Sequence, residues 1–201
     1  MLILRSSPAS PFGRKIKIAA AVLGLKDRIT IAMTDTLNPS DTIRIQNPLG
    51  KIPVLVLEDG KTLFDSRVIA EYLDVMAGGG RIIPPPPERF DVLRLQALAD
   101  GITDAAVLRV YEKRFRSSEK VDETWLDHQT GKVDRGLAEI GANVLPALTA
   151  SPDIGAIALA CALGYLDLRA PEWRKGAPKL AGWVDGFERA VPAFADTRPP
   201  V

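Results

Sequence analysis

Cysteine and histidine are nearly absent. The 201 residues hold one of each, Cys161 and His128. A single cysteine excludes an intrachain disulfide and any multi-cysteine zinc or iron–sulfur site. A single histidine excludes the usual multi-histidine metal sites. A Ser-His-Asp triad would have to use His128, which has no motif around it. Excess charge is missing too: Lys plus Arg number 26 and Asp plus Glu 25, a formal net charge of +1. Nothing global is present to hold phosphates, so nucleic acid is not the expected partner. No run of about 18 apolar residues occurs, so no membrane span is expected. Met1-Leu2-Ile3-Leu4-Arg5 lacks the basic region and apolar core of a signal peptide. The expected setting is a reducing cytoplasm.

What is present is ordinary globular material, 46% apolar and 25% charged. The length fits one large domain or two small ones. The character of the chain changes near residue 80. Gly78-Gly79-Gly80 and Pro84-Pro85-Pro86-Pro87 bracket a stretch, residues 78–88, that is neither helix nor central strand. We read it as a linker between a first domain, residues 1–77, and a second, residues 89–201.

The first domain alternates strands and helices. Leu2-Ile3-Leu4 reads as a buried strand. Ser10-Pro11 then pairs a good N-cap with a proline suited to the first helical position. The helix from Pro11 to about Leu23 sets Ile16, Ile18, Ala19 and Val22 along one side, with Arg14, Lys15 and Lys17 between them, and Gly24 is the expected stop. Ile29-Thr30-Ile31-Ala32 reads as a second strand, parallel to the first by the usual crossover. After a polar loop, Val54-Leu55-Val56-Leu57 and Thr62-Leu63-Phe64 flank Asp59-Gly60, a strong hairpin signal with a tight turn requiring positive φ. Asp65-Ser66 opens another helix. The second domain carries helix signals from about 89 to 116, 123 to 140, 154 to 169 and 178 to 190. The third is apolar nearly all round, which places it inside a bundle.

Three stretches together resemble the cytosolic glutathione S-transferases: Ser7-Pro8-Ala9-Ser10-Pro11-Phe12-Gly13-Arg14-Lys15; Asn47-Pro48-Leu49-Gly50-Lys51-Ile52-Pro53-Val54-Leu55 with Phe64-Asp65-Ser66-Arg67-Val68-Ile69-Ala70-Glu71-Tyr72-Leu73; and Cys161-Ala162-Leu163-Gly164-Tyr165-Leu166-Asp167 with Pro178-Lys179-Leu180-Ala181-Gly182-Trp183. The chain looks most like the bacterial serine-type members, which share the Ser-Pro-Phe start with the plant tau class. The resemblance implies an α/β plus all-α fold: a thioredoxin-like domain with a mixed four-stranded sheet, then a helical bundle. One departure stands out. The family pairs the N-cap of its central buried helix with an aspartate three residues on, and here Asp153 caps while Ala156 takes the second place. A lost cap bond costs about 0.5–2 kcal/mol.

The resemblance also implies a chemistry, with glutathione as cosubstrate and neither cofactor nor metal. A free thiol has a pKa of about 8.5, and lowering it by two units takes roughly 2.7 kcal/mol. The Ser10 hydroxyl can donate to the sulfur, worth about 1.5–3 kcal/mol, and the positive end of the helix adds about 0.3–1 kcal/mol. Ser10 is then a thiolate stabiliser and not a nucleophile, with Ser7 as a nearby competitor. Ile52-Pro53 is expected to be cis, with the Ile52 backbone pairing with the cysteinyl residue like an added strand. Lys51 either meets a glutathione carboxylate or is simply solvated. Ser66 and the free N–H groups of its helix suit the γ-glutamyl carboxylate, and Asp65 its ammonium, although the family more often has Glu or Gln there. Phe12, Tyr111 and Phe115 either line the pocket for a second, largely apolar electrophilic substrate or pack in the helical core. Without either thioredoxin cysteine, dithiol exchange is not available. The expected assembly is a homodimer. Two rivals stay open: other glutathione-dependent chemistry (isomerase, dehalogenase or peroxidase), and a non-catalytic regulator such as the stringent-starvation proteins. Cys161 is read as a buried hydrophobe, His128 as solvated, and Trp125, Trp173 and Trp183 as packing residues.

Overall fold

The structure, a computed structural model, describes residues 1–199. Strand β1 (Leu2–Ser6), helix α1 (Pro11–Val22) and strand β2 (Ile29–Met33) form a parallel β-α-β unit. The one-turn helix α2 (Ile43–Gln46) leads to β3 (Val54–Val56) and β4 (Thr62–Leu63), and α3 (Ser66–Met76) follows. The sheet order is β2-β1-β3-β4, with β3 antiparallel to both β1 and β4. This is a thioredoxin-like domain.

Local chemistry explains most boundaries. Gly24, at φ 73°, closes α1 with paired bonds from Leu25 N to Ala20 O at 2.7 Å and Gly24 N to Ala21 O at 3.0 Å, a Schellman ending that needs a left-handed residue. The Asp59-Gly60 hairpin departs from the tight two-residue turn. Leu57 N bonds Lys61 O at 2.8 Å and Gly60 N bonds Leu57 O at 3.0 Å, so the loop has three residues and only Gly60 has positive φ. An ordinary turn ending in a glycine bulge relieves Asp59 of the left-handed region.

The remainder is helical: α4 (Glu88–Phe115), α5 (Glu123–Glu139), α6 (Ile154–Arg169), α7 (Trp173–Gly176), α8 (Pro178–Ala190) and α9 (Pro192–Asp196). Helix α4 begins at the last residue of the expected linker, and α5 runs into a wider turn over Ile140–Val144. As its composition requires, α6 is buried from Ile154 to Leu166, packed chiefly against α4. A Cβ on Gly155 would stand 2.8 Å from the Val92 carbonyl, so only glycine permits that approach. The cap of α6 is intact: Asp153 accepts from Ala156 N at 2.8 Å. The Ile154 N–H goes to Ile82 O at 2.9 Å, so the linker satisfies a donor at the helix start.

The linker itself is fastened. The buried carboxylate of Asp74 accepts from the backbone of Gly80, Arg81 and Ile82 at 2.8, 2.9 and 2.8 Å, and Ile82 is fully buried. Helix α1 touches both the sheet domain and α6, so two of the charged residues set between its apolar positions are buried as well. Arg14 and Lys15 are 3% and 1% exposed; Arg14 donates to the Phe194 carbonyl of α9. Among the described residues, no helix is long and apolar enough to cross a membrane.

Candidate active site

Ser10 ends the β1–α1 loop in an extended conformation, with its Oγ accepting from Gly13 N at 3.0 Å. A hydroxyl accepts and donates at once, so this cap leaves its proton available. Gly13 seats the first turn of α1 on the end of β1: an added Cβ would fall 2.0 Å from Ser6 Oγ. Ser7 is half-buried, and its carbonyl accepts from Ser10 N at 3.3 Å.

The second element is the approach to β3. Buried Asn47 holds it by donating to Lys51 O at 2.9 Å and accepting from Leu49 N at 3.0 Å. Lys51 is exposed, Pro53 is buried, and Ile52–Pro53 is cis. The Ile52 N–H and C=O make no backbone bond among the described residues. The preceding loop is pinned by Arg5, which bonds Thr34, Thr42, Gln46 and Asp41 at 2.9, 3.0, 2.6 and 2.6 Å.

The third element is the start of α3. Asp65 caps it, accepting from Arg67 N at 2.9 Å, and Ser66 is buried at the first helical position. What joins this turn to α1 is a carboxylate in the other domain. Asp100 of α4 holds Lys15 Nζ at 2.7 and 2.9 Å and Arg67 Nε at 2.9 Å. Lys15 and Asp100 are almost wholly shielded, at 1% and 5% side-chain exposure, while Arg67 reaches water at 51%. The Asp100 contact raises the Arg67 pKa. One turn along α4 from Asp100, Asp104 is held above the ordinary carboxylate range, by burial first and by the charge of Asp100 second, against the pull of Arg67, Lys51 and Lys15.

Residues 9–76 match the family described as glutathione S-transferase, N-terminal domain, and residues 123–186 match glutathione S-transferase, C-terminal domain. The uncharacterized GST-like protein YibF of Escherichia coli K12 is 38% identical over 205 residues, 98% of either chain. The chain belongs to the glutathione S-transferase family. A glutathione transferase family member from Pseudomonas fluorescens Pf-5, solved with bound glutathione, is 43% identical with full mutual coverage and a TM-score of 0.93. A further structure from that organism, with bound S-(propanoic acid)-glutathione, is 43% identical, covers 100% of this chain and 98% of that one, and has a TM-score of 0.87. A glutathione S-transferase from Methylobacillus flagellatus KT with glutathione bound is 36% identical over the whole of both chains, at a TM-score of 0.86.

In this member of the glutathione S-transferase family, the residues expected for a second substrate are only partly brought together. The Tyr111 and Phe115 rings meet edge to face at 5.3 Å, while Phe12 faces Lys15 Nζ at 5.7 Å and pairs with neither ring. A groove of about 700 Å³ floored by Leu137, Leu166, Trp173 and Leu180 lies elsewhere in the helical domain and includes none of them. Cys161 is buried and its thiol is pushed up to about 12 by burial. His128 is exposed and stacks on Trp125 at 5.8 Å. Trp173 and Trp183 pack inside and bond Asp167 and the Pro146 carbonyl, both at 2.9 Å, whereas Trp125 is 39% exposed. The sequence reading missed Asn47, Asp74, Asp100 and Asp104. The signal for Asp100 was an acidic residue one step from Ala99 on a face otherwise apolar; its partners, far off in sequence, left no trace.

Proposed function

We propose that the protein is a glutathione transferase: it binds glutathione in the first domain, lowers the pKa of the thiol and lets the thiolate attack a small electrophile with a largely apolar body. The observation that carries this reading is Ser10, whose Oγ already accepts from Gly13 N and still has a proton to give at a helix start. The required 2.7 kcal/mol or so falls within what a charged hydrogen bond and a helix terminus supply together. Ile52 offers an unpaired backbone edge to the cysteinyl residue. Ser66 and the first N–H groups of α3 suit the γ-glutamyl carboxylate, Asp65 the ammonium, and Lys51 a remaining carboxylate. Asp100 keeps the starts of α1 and α3 in register by bonding a cation from each. Tyr111 and Phe115, whose rings meet, and Phe12 from the start of α1 are the apolar groups assigned to the electrophile.

Glutathione is a cosubstrate in this scheme, and no resident cofactor or metal takes part. The working form is a cytoplasmic homodimer active in detoxification, on family grounds. Relatives solved with glutathione, and one with a glutathione carrying a propanoic acid group on sulfur, support conjugation over the regulator reading. Retention on immobilised glutathione, followed by assay with 1-chloro-2,4-dinitrobenzene, tests it. Binding and turnover are expected; no retention and no calorimetric heat would leave the regulator reading.

A further inference from the structure

The exposed face of α4 that starts beside Arg67 and Lys51 ends in more positive charge than an apolar substrate needs. Along α4, residues 104, 108, 111 and 115 follow the three- and four-residue steps that share one helix face. Leu108, Tyr111 and Phe115 are exposed and Asp104, though packed about by Arg67 and Asp100, keeps part of its surface in water, so this stripe is left open. From Asp104, beside Arg67 and Lys51, to Tyr111 is about 10 Å along the axis at 1.5 Å per residue. That is about the span of an extended tripeptide. Helix α6 supplies the facing side. Gly164 lies against Arg14 of α1, with an added Cβ 2.5 Å from its guanidinium. The next residue is Tyr165, 6% exposed, whose neighbours include Arg169, Tyr111 and Arg114.

Two guanidinium groups therefore border this aromatic cluster. Arg114 lies 5.8 Å from the Tyr111 ring centre and Arg169 5.8 Å from that of Tyr165. Neither forms an ion pair among the described residues, and the carboxylates of Glu112 and Asp167 on the same two helices are engaged elsewhere. Glu112 is bound by Arg116 at 2.7 Å and by Asp122 N at 3.1 Å. Asp167 is bound by Arg174 at 2.6 and 2.8 Å and by Trp173 at 2.9 Å. Arg169 also borders a cleft containing Glu123 and Asp127 and pairs with neither. Arginine forks suit a carboxylate, and the aromatic faces suit a flat ring between them.

We infer that the electrophile this protein conjugates is a flat aromatic compound bearing a carboxylate, held by Arg114 and Arg169 against Tyr111, Phe115 and Tyr165. The inference rests on the glutathione transferase reading. With 4-chloro-3,5-dinitrobenzoate as probe, the glutathione sulfur attacks the carbon bearing chlorine, the carbon–sulfur bond forms, chloride leaves with the bonding pair, and the thiol proton goes to solvent.

The test compares that probe with its methyl ester, each kcat/KM divided by the uncatalysed rate with glutathione. The acid is expected to be preferred by about a hundredfold, as two charged hydrogen bonds worth about tenfold each predict. Arg114→Gln and Arg169→Gln should each lower the acid-to-ester ratio by about tenfold, and the double variant should bring it near one. Arg114→Lys and Arg169→Lys, which keep the charge, should retain part of it. If the wild type binds glutathione and conjugates both probes at a ratio near one, or if the glutamine variants keep the wild-type ratio, the inference falls and the transferase reading stands. If no glutathione binds, both fall together.

Discussion

Replacing Ser10 with alanine separates the cap its hydroxyl forms from the thiolate stabilisation proposed for it. As an N-cap it accepts from Gly13 N at 3.0 Å, and losing that bond should lower stability by about 1 kcal/mol. As a donor to the sulfur it favours thiolate over thiol, and losing about 1.5–3 kcal/mol there should raise the bound thiol's pKa by roughly one to two units. The rate at pH 6.5 should then fall about ten- to a hundredfold. At a pH above the raised value the thiol ionises unaided, so the gap should close. Glutathione affinity should change far less, because in the proposed binding mode Ile52, Asp65 and Ser66 hold the rest of the tripeptide. The assay is ultraviolet thiolate absorbance of bound glutathione against pH, beside steady-state kinetics. Ser10→Asp is the discriminating partner. Aspartate caps helices well, so stability should be largely kept, yet it offers no proton and adds a negative charge, so the thiol pKa should rise further than in the alanine variant. A titration midpoint unchanged in both variants would refute the reasoning and move attention to Ser7 or a backbone N–H of α1.

Removing Asp100 with Asp100→Ala strands Lys15, 1% exposed, and should cost about 3–5 kcal/mol in urea unfolding, with a raised KM for glutathione as the starts of α1 and α3 lose their shared anchor. Asp104 has a folded pKa above its ordinary value, so its ionised form opposes folding: this penalty is absent at a pH below the unfolded carboxylate value, grows as pH rises from that value to the folded one, and is complete above it. Asp104→Asn should accordingly raise Tm at pH 7 and leave it unchanged in acid, which differential calorimetry at the two pH values will show. Cys161, with its thiol near 12, holds on the order of one part in 10,000 of thiolate at pH 8; it should resist a disulfide reagent in the folded protein and react fully in guanidinium.

The parts of this molecule that were legible in the sequence are those with local causes. Ser10-Pro11 announces a helix start because both the cap and the proline act within one turn, and Gly24 announces its end because only a left-handed residue closes the two final bonds. An apolar run such as 154–166 has to be buried, whatever covers it. The hairpin was located by Asp59-Gly60, and the positive φ that its turn requires falls on Gly60 alone because the loop has three residues. The elements proposed to hold glutathione stand out in the sequence for the same local reason, each being a helix start or a strand entry. What binds them together was not. Asp100 follows Lys15 by 85 residues and Arg67 by 33, and Asp74 ties down backbone groups of a linker whose glycines and prolines suggest slackness. A carboxylate that serves by bridging leaves in its own neighbourhood only the oddity of an acid on a buried face. The same oddity marks Arg14 and Lys15 on α1. Charged residues at apolar positions, taken as a set across the chain, therefore point to where the two domains meet, and here that junction ties together the two helix starts proposed to hold glutathione.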